Sequence, residues 1–320
     1  MLCRRQRFLS IICLGALVPV FAHADEASLV AALQKTYSAC VGIDDSLSDL
    51  KKMAGINTAI TGVGTGLGVG ATVVGIVKEK KDQAADTLKM EKLRAIEERR
   101  IQNETPPTSN EDLDAASRGF DNLWGQNTED KNKDSEIDKL DRQSKSLGHW
   151  RTGLLAGNTA TNVAGAIIAG NNRTDGDLQN QIDNCKAAIG ELRRARAQAR
   201  IDGVDVGEAD SIISAGEGFE TVDISKINTR AKGAMISGIV GATTGLTGTI
   251  TSAVANSDSV RNQGEGGTRT DKEKNLNTAS NVLAGASTVA SATATVFNAT
   301  QIKAIKDVAN VATKCTEALK

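Results

Sequence analysis

The sequence predicts an all-α protein, an elongated antiparallel four-helix bundle of two helical hairpins, closely packed through a middle of glycine, alanine, serine and threonine. Three observations carry this expectation. Beyond residue 24 the only prolines are the adjacent Pro106 and Pro107, and aromatic residues are 2% of the chain. Sandwiches and α/β folds place proline in turns and aromatics in cores, whereas long helices need neither. Charge-dense stretches, with opposite charges three and four residues apart, alternate with long uncharged ones. Finally, the four uncharged stretches each carry small residues at four-residue steps, which on a helix suggests a groove for close approach.

The N-terminus reads as a signal peptide over residues 1–24. Arg4, Arg5 and Arg7 form a positive region, Phe8 to Phe21 an apolar one, and Ala22-His23-Ala24 a small-x-small cleavage site. Its removal takes the formal net charge from -1 to -4. A mildly acidic mature chain argues against a nucleic-acid partner. Export predicts a periplasmic or cell-envelope location, with a membrane-embedded state as the alternative.

The first hairpin is expected over residues 25–200, with a polar connector at 103–133. Leu29, Ala32, Leu33, Tyr37, Cys40, Leu47 and Leu50 give a helical pattern that runs into the stretch Ala54–Val77. There Gly62, Gly66 and Gly70 step by four. The same stretch also alternates from Gly62 to Gly70, a strand signal, but glycine weakens strand interiors and both flanks read as helix. One long helix over 26–102 is therefore expected, with any kink near the glycines. In the connector, Ser109-Asn-Glu-Asp112 resembles a capping box for a short helix carrying Phe120 and Trp124 on one face. That pair reads either as a cap over the bundle end or as a recognition patch. A second helix follows over about 135–200, with Gly153, Gly157, Thr161, Gly165 and Ala169 in its uncharged part and a break at 171–176.

The second hairpin is expected over 201–320. Residues 201–222, with four glycines, read as a loop. A third helix starts near Asp223 and carries Ser237, Gly241, Gly245, Thr249 and Ala253. After a turn at 263–269, Thr270-Asp-Lys-Glu273 resembles a capping box for a fourth helix. In it Val282, Val289 and Val296 recur at sevens, which reads as a packing seam. Echoes such as Leu154-Leu-Ala-Gly157 and Val282-Leu-Ala-Gly285 suggest an internal duplication.

Cys40, Cys185 and Cys315 stand 26, 28 and 30 residues from the centres of their uncharged stretches. At 1.5 Å per residue all three reach one level, roughly 40 Å from the middle of the bundle. In an oxidising compartment two of them should pair. Cys185–Cys315 is the favoured pair, but Cys40 is nearly level with both and the connectivity stays open. Three cysteines without a nearby histidine make a poor zinc site.

No chemistry of catalysis stands out. The mature chain has one histidine, His149, and neither a nucleophile elbow nor a phosphate loop. No catalytic, cofactor-binding or metal site is expected. The chain reads as an exported, non-catalytic bundle with a structural or interaction role in the bacterial envelope, acting through a protein or envelope partner and able to oligomerise. The alternative is a membrane-inserting glycine-zipper protein, a pore or an effector. The uncharged runs, 25, 21, 25 and 28 residues long, are long enough to span a bilayer. Asn158, Asn162, Asn281 and Asn298 within them favour the soluble or peripheral state.

Overall fold

The computed structural model describes the backbone of residues 24–104, 111–174 and 176–319; residues 1–23 of the expected signal peptide, and the side chains of Phe120 and Trp124, lie outside the described residues. Among the described residues every regular element is helical, and the protein is an all-α bundle. The helices are α1 (Ala24–Cys40), α2 (Ile43–Glu104), α3 (Glu111–Asn171), α4 (Gly176–Ile201), α5 (Gly207–Gly216), α6 (Gly218–Thr221), α7 (Ser225–Ala255) and α8 (Asp271–Ala318).

Three boundaries differ from expectation. The long first helix breaks at Val41-Gly42, where Gly42 has φ +92°, and not at the glycine stretch, which is continuous helix. Only glycine takes that backbone conformation without strain. The short helix expected in the connector is the start of α3, which runs unbroken through 111–171. The expected loop at 201–222 contains α5 and α6. There Ala209, Ile212, Ile213 and Phe219 are buried, and Gly216 and Gly218 serve close packing. A Cβ would come within 2.6 Å of Ile189 Cδ1 at Gly216 and 2.8 Å of Val311 Cγ2 at Gly218.

The chain folds into two compact units, each drawn from both halves of the sequence. The first unit holds α1, the start of α2, α4 to α6 and the end of α8. Its core joins Leu29 of α1 to Leu192 and Ala199 of α4 and to Ala209, Ile212 and Ile213 of α5. Gly203, at φ +76°, ends α4: the Val204 amide donates back to the Ala199 carbonyl at 2.9 Å, a Schellman closure.

The second unit, residues 50–173 and 225–303, is a four-helix bundle of α2, α3, α7 and α8. Pairs of contacts fix its directions. Gly165 meets Thr61 and Gly157 meets Leu67, so α2 and α3 are antiparallel. Asn57 bonds Asn298 and Lys78 bonds Asn277, so α2 and α8 are antiparallel. Thr152 bonds Ser252 and Gly241 meets Asn162, which sets α3 against α7 in the same way. Asn158 reaches Ser287 and Gln301 reaches the Asn172 carbonyl, so α3 and α8 run parallel across the bundle. The echoing motifs at 154–157 and 282–285 meet here, where Leu155 and Ala284 share a small cluster with Ala71.

The residues that face inward on α2 are Ala54, Asn57, Thr61, Gly64, Gly68, Ala71 and Gly75. They alternate steps of three and four. A step of four on a 3.6-residue helix turns about 40° too far, so a ladder of fours leaves its face within three steps. Gly62 and Gly66 are accordingly exposed, with nothing within 4 Å of an added Cβ, and Gly70 makes only an ordinary contact of 3.5 Å with Leu154. The close approach is made by Gly64 and Gly68, whose Cβ atoms would meet Thr161 Oγ1 and Thr288 Oγ1 at 2.5 and 2.4 Å. A glycine groove is present, but it is made by Gly64 and Gly68, two positions from the expected Gly62, Gly66 and Gly70.

The loop between α7 and α8 closes one end of this bundle. Arg269 is buried there and pairs with Asp86 at 2.8 Å and Glu79 at 3.0 Å. Burial works to lower the pKa of Arg269, but the bonds from Asp86 and Glu79 hold it above the ordinary value. Lys78 and Asp82 pair at 2.7 Å beside it, both buried, and Ser144 donates to Asp82. Thr270 caps α8 as expected, accepting from the Glu273 amide at 3.2 Å. The Glu273 carboxylate turns to the Asn262 amide instead of completing the box. Removing one partner from a buried ionic cluster leaves the others uncompensated, at about 3–5 kcal/mol. Arg269→Ala is therefore expected to lower stability by about that amount in chemical denaturation, with Arg269→Lys recovering little of it.

Candidate functional site

The uncharged middle of the second unit has its polarity reversed. Inside, Asn57, Thr61, Asn158, Asn162, Ser287, Ser291, Asn298 and Gln301 are all essentially inaccessible. Outside, valine, isoleucine and leucine stand in exposed, outward-facing positions on all four helices. Examples are Val63, Val69 and Val73 on α2, Ile167 on α3, Ile239, Leu246 and Ile250 on α7, and Val282, Val289 and Val296 on α8. The three heptad valines are 66%, 67% and 61% exposed, so they are the outward face of α8 and not its packing seam. That seam is made by Asn277, Ser280, Ala284, Ser287, Ser291, Ala294 and Asn298.

Most of the inner polar groups bond one another, although Asn57 Oδ1 and Gln301 Oε1 are buried without a hydrogen-bond partner. Asn158 donates to Ser287 Oγ at 2.9 Å, Asn162 donates to Asn158 Oδ1 at 3.0 Å, and Ser291 Oγ sits 2.9 Å from Asn162 Oδ1. Ser287 donates on to the Gly241 carbonyl at 2.7 Å, and Ser280 to the Gly248 carbonyl at 3.0 Å. These last two bonds need α7 and α8 almost in backbone contact, which Gly241, Gly245 and Gly248 permit. Toward α8, a Cβ at Gly245 would lie 3.0 Å from Ser287 Oγ and one at Gly248 3.2 Å from Leu283 Cβ; toward α3, one at Gly241 would lie 2.8 Å from the Asn162 amide and one at Gly245 2.6 Å from Thr159 Oγ1. Gly157 and Gly165 do the same between α3 and α2, at 3.1 Å from Leu67 Cδ1 and 2.7 Å from Thr61 Cγ2. Small residues and interior hydrogen bonds are thus one device.

Threonines on the outer and flanking positions turn their hydroxyls back into their own helices. Thr65 donates to the Thr61 carbonyl at 3.0 Å, Thr243 to Ile239 at 2.9 Å, Thr247 to Thr243 at 2.9 Å, Thr251 to Thr247 at 2.8 Å and Thr293 to Val289 at 2.8 Å.

At the margin of this belt a groove of about 700 Å³ is lined by Leu67, Gly153 and Leu154 on its apolar side and by Arg142, Lys145, His149 and Trp150 on the other. Trp150 is 68% exposed. Lys145 pairs with Asp258 at 3.0 Å, and its hydrogen bond and charge hold that carboxyl below the usual range. Next to them Arg151 is fully buried, its Nε and Nη2 without hydrogen-bond partners. Sequence spacing gave no sign that this arginine, at the edge of an uncharged stretch, would point inward.

In the first unit the disulfide joins Cys40 of α1 to Cys185 of α4, with Cα atoms 4.8 Å apart, and Cys315 of α8 is a buried free thiol. The favoured pair Cys185–Cys315 is not the one formed. Helices α1 and α4 pack directly together, with Thr36 reaching the Ala188 carbonyl and Lys35 pairing with Glu191, and this decided between partners at nearly equal level. The three Sγ atoms nevertheless lie within 4.8 Å of one another. No protein family, curated protein or solved structure matches the chain.

Proposed function

We propose that this is an exported, non-catalytic protein of the bacterial cell envelope whose second unit is a bilayer-embedded four-helix bundle. The single observation behind this reading is the reversed polarity of the uncharged belt. A water-soluble bundle buries its apolar stripe and exposes charge. This one buries asparagine and serine among alanines and Leu155, and exposes valine and isoleucine, with no charge on any face through the belt. In lipid, helices gain nothing from hiding apolar side chains, and small residues and interhelical hydrogen bonds hold them together instead.

Length and margins support the same reading. Four uncharged runs of 21 to 28 residues, brought to one height by antiparallel packing, match a hydrocarbon layer about 30 Å thick. Two helical stretches, Glu26–Glu98 and Glu265–Ala318, are apolar enough to span, and only 28% and 33% of their apolar windows is buried. The core helix of a soluble protein would be mostly covered. Trp150, His149, Arg142 and Lys145 at the belt's margin are the residue types that anchor at a headgroup layer.

The expected result is that, in envelope membranes washed with alkaline carbonate, the mature protein stays in the pellet and is released only by detergent. Release into the carbonate supernatant would overturn the reading and return the protein to a soluble bundle whose belt is covered by protein.

A further inference from the structure

The first unit carries a feature that the bundle does not use: three sulfur atoms from three helices, all buried and mutually within 4.8 Å, of which only two can be bonded at a time. Cys40, Cys185 and Cys315 are 2%, 0% and 1% exposed. A free thiol facing solvent would exchange with any passing disulfide. A free thiol sealed beside one particular disulfide can exchange only with that one, and holding two reacting groups at such range replaces an encounter with a local rearrangement.

We propose that Cys40, Cys185 and Cys315 are one covalent site, an internal disulfide that changes partners. In the step, the Cys315 thiolate attacks Sγ of Cys185. The Cys185–Cys315 bond forms as the Cys40–Cys185 bond breaks, and Cys40 leaves as a thiolate that takes up the proton Cys315 gave away. Attack on Cys40 is the mirror case and frees Cys185. One S–S bond is made for each one broken, so no oxidant or reductant is consumed. The consequence lies in what is tied together: α1 to α4 before the step, and the end of α8 to α4 or to α1 after it.

Burial sets the rate. It pushes the Cys315 thiol above its ordinary pKa, so the thiolate is scarce at neutral pH and the Cys40–Cys185 form persists. While the pH stays below that raised pKa, each unit of pH increase multiplies the thiolate, and with it the rate, about tenfold.

The experiment uses the folded, oxidised, full mature protein. Samples held at pH 7, 8 and 9 are quenched in acid, cleaved with pepsin at low pH where exchange is arrested, and the linked peptides weighed. Peptides joining Cys315 to Cys185 or Cys40 should appear at a rate that rises about tenfold per pH unit and does not depend on protein concentration. Pairing that stays Cys40–Cys185 at pH 9 would overturn the proposal, and so would a rate that grows with concentration, since the exchange would then run between molecules. A second measurement needs no spontaneous exchange. C40A refolded from denaturant in the presence of glutathione disulfide should close Cys185–Cys315 and release two glutathione thiols, and C185A should likewise close Cys40–Cys315. Two persistent free thiols in both variants, with helical content retained, would place Cys315 out of reach.

Discussion

Gly68→Leu is expected to disrupt the second unit, while Gly66→Leu, two residues away, leaves it intact. A Cβ at position 68 would lie 2.4 Å from Thr288 Oγ1, 3.0 Å from Asn158 Nδ2 and 3.2 Å from the backbone of Thr288 itself. The hydroxyl can rotate; the α8 backbone and the bonded Asn158 cannot move without separating helices. Three further carbons then have to enter the layer where Asn158, Ser287 and Ser291 are joined. Overpacking alone costs about 1–3 kcal/mol, and the lost bonds add to it. We expect a total of about 4 kcal/mol and a fall in Tm of roughly 10 °C for a unit of this size. At position 66 nothing lies within 4 Å, and leucine is the better helix former by about 0.8 kcal/mol, so Tm should hold or rise slightly. Circular dichroism melts of the two variants, in the same detergent, make the comparison. Equal losses would show that the inward face is not the one described.

The second large effect concerns location and not folding. Replacing Val282, Val289 and Val296 together by lysine is expected to remove the protein from the membrane. All three are more than half exposed, so lysine fits at each without a clash. In water such a change lies within about 0.5 kcal/mol per site. Facing lipid, the lysine at 289, near the middle of the span, costs about 3 kcal/mol relative to valine, and those at 282 and 296, nearer the ends, add less each. The triple variant should therefore appear in the carbonate supernatant or fail to accumulate in membranes. The control Ser280→Ala, inside the bundle, should stay with the membrane. A triple variant that remains in the washed pellet at wild-type abundance would mean these valines do not meet lipid.

The all-α class, the four uncharged helices and their antiparallel order are legible from proline scarcity, charge spacing and the two turn regions. The face each helix turns inward is not. Gly62, Gly66 and Gly70 are conspicuous because they are glycines at a constant interval, yet a constant interval of four is what a helix cannot keep on one side. The seam runs through Asn57, Thr61, Gly64, Gly68 and Ala71, whose mixed chemistry hides the alternation of three and four. On α8 the opposite error follows from a sound rule. A heptad of valines reads as a core seam, but Val282, Val289 and Val296 point away from the bundle. The disulfide shows a third limit: helix rise places three cysteines at one level, but which helices touch is a property of the packed unit. The buried Arg151 and the helices within 201–222 had no sequence signal beyond residues that read equally well as margin and loop.

The back-turned threonines alter how greasy this protein is. Hydropathy scales rate threonine as a residue whose hydroxyl is open to its surroundings, and on that footing the belt looks too polar for oil. A threonine whose proton is already given to the carbonyl one turn earlier, as at Thr243, Thr247, Thr251 and Thr293, presents mainly its methyl group outward. To a neighbouring acyl chain it is close to a valine. Composition therefore understates how apolar the outer surface of the belt is.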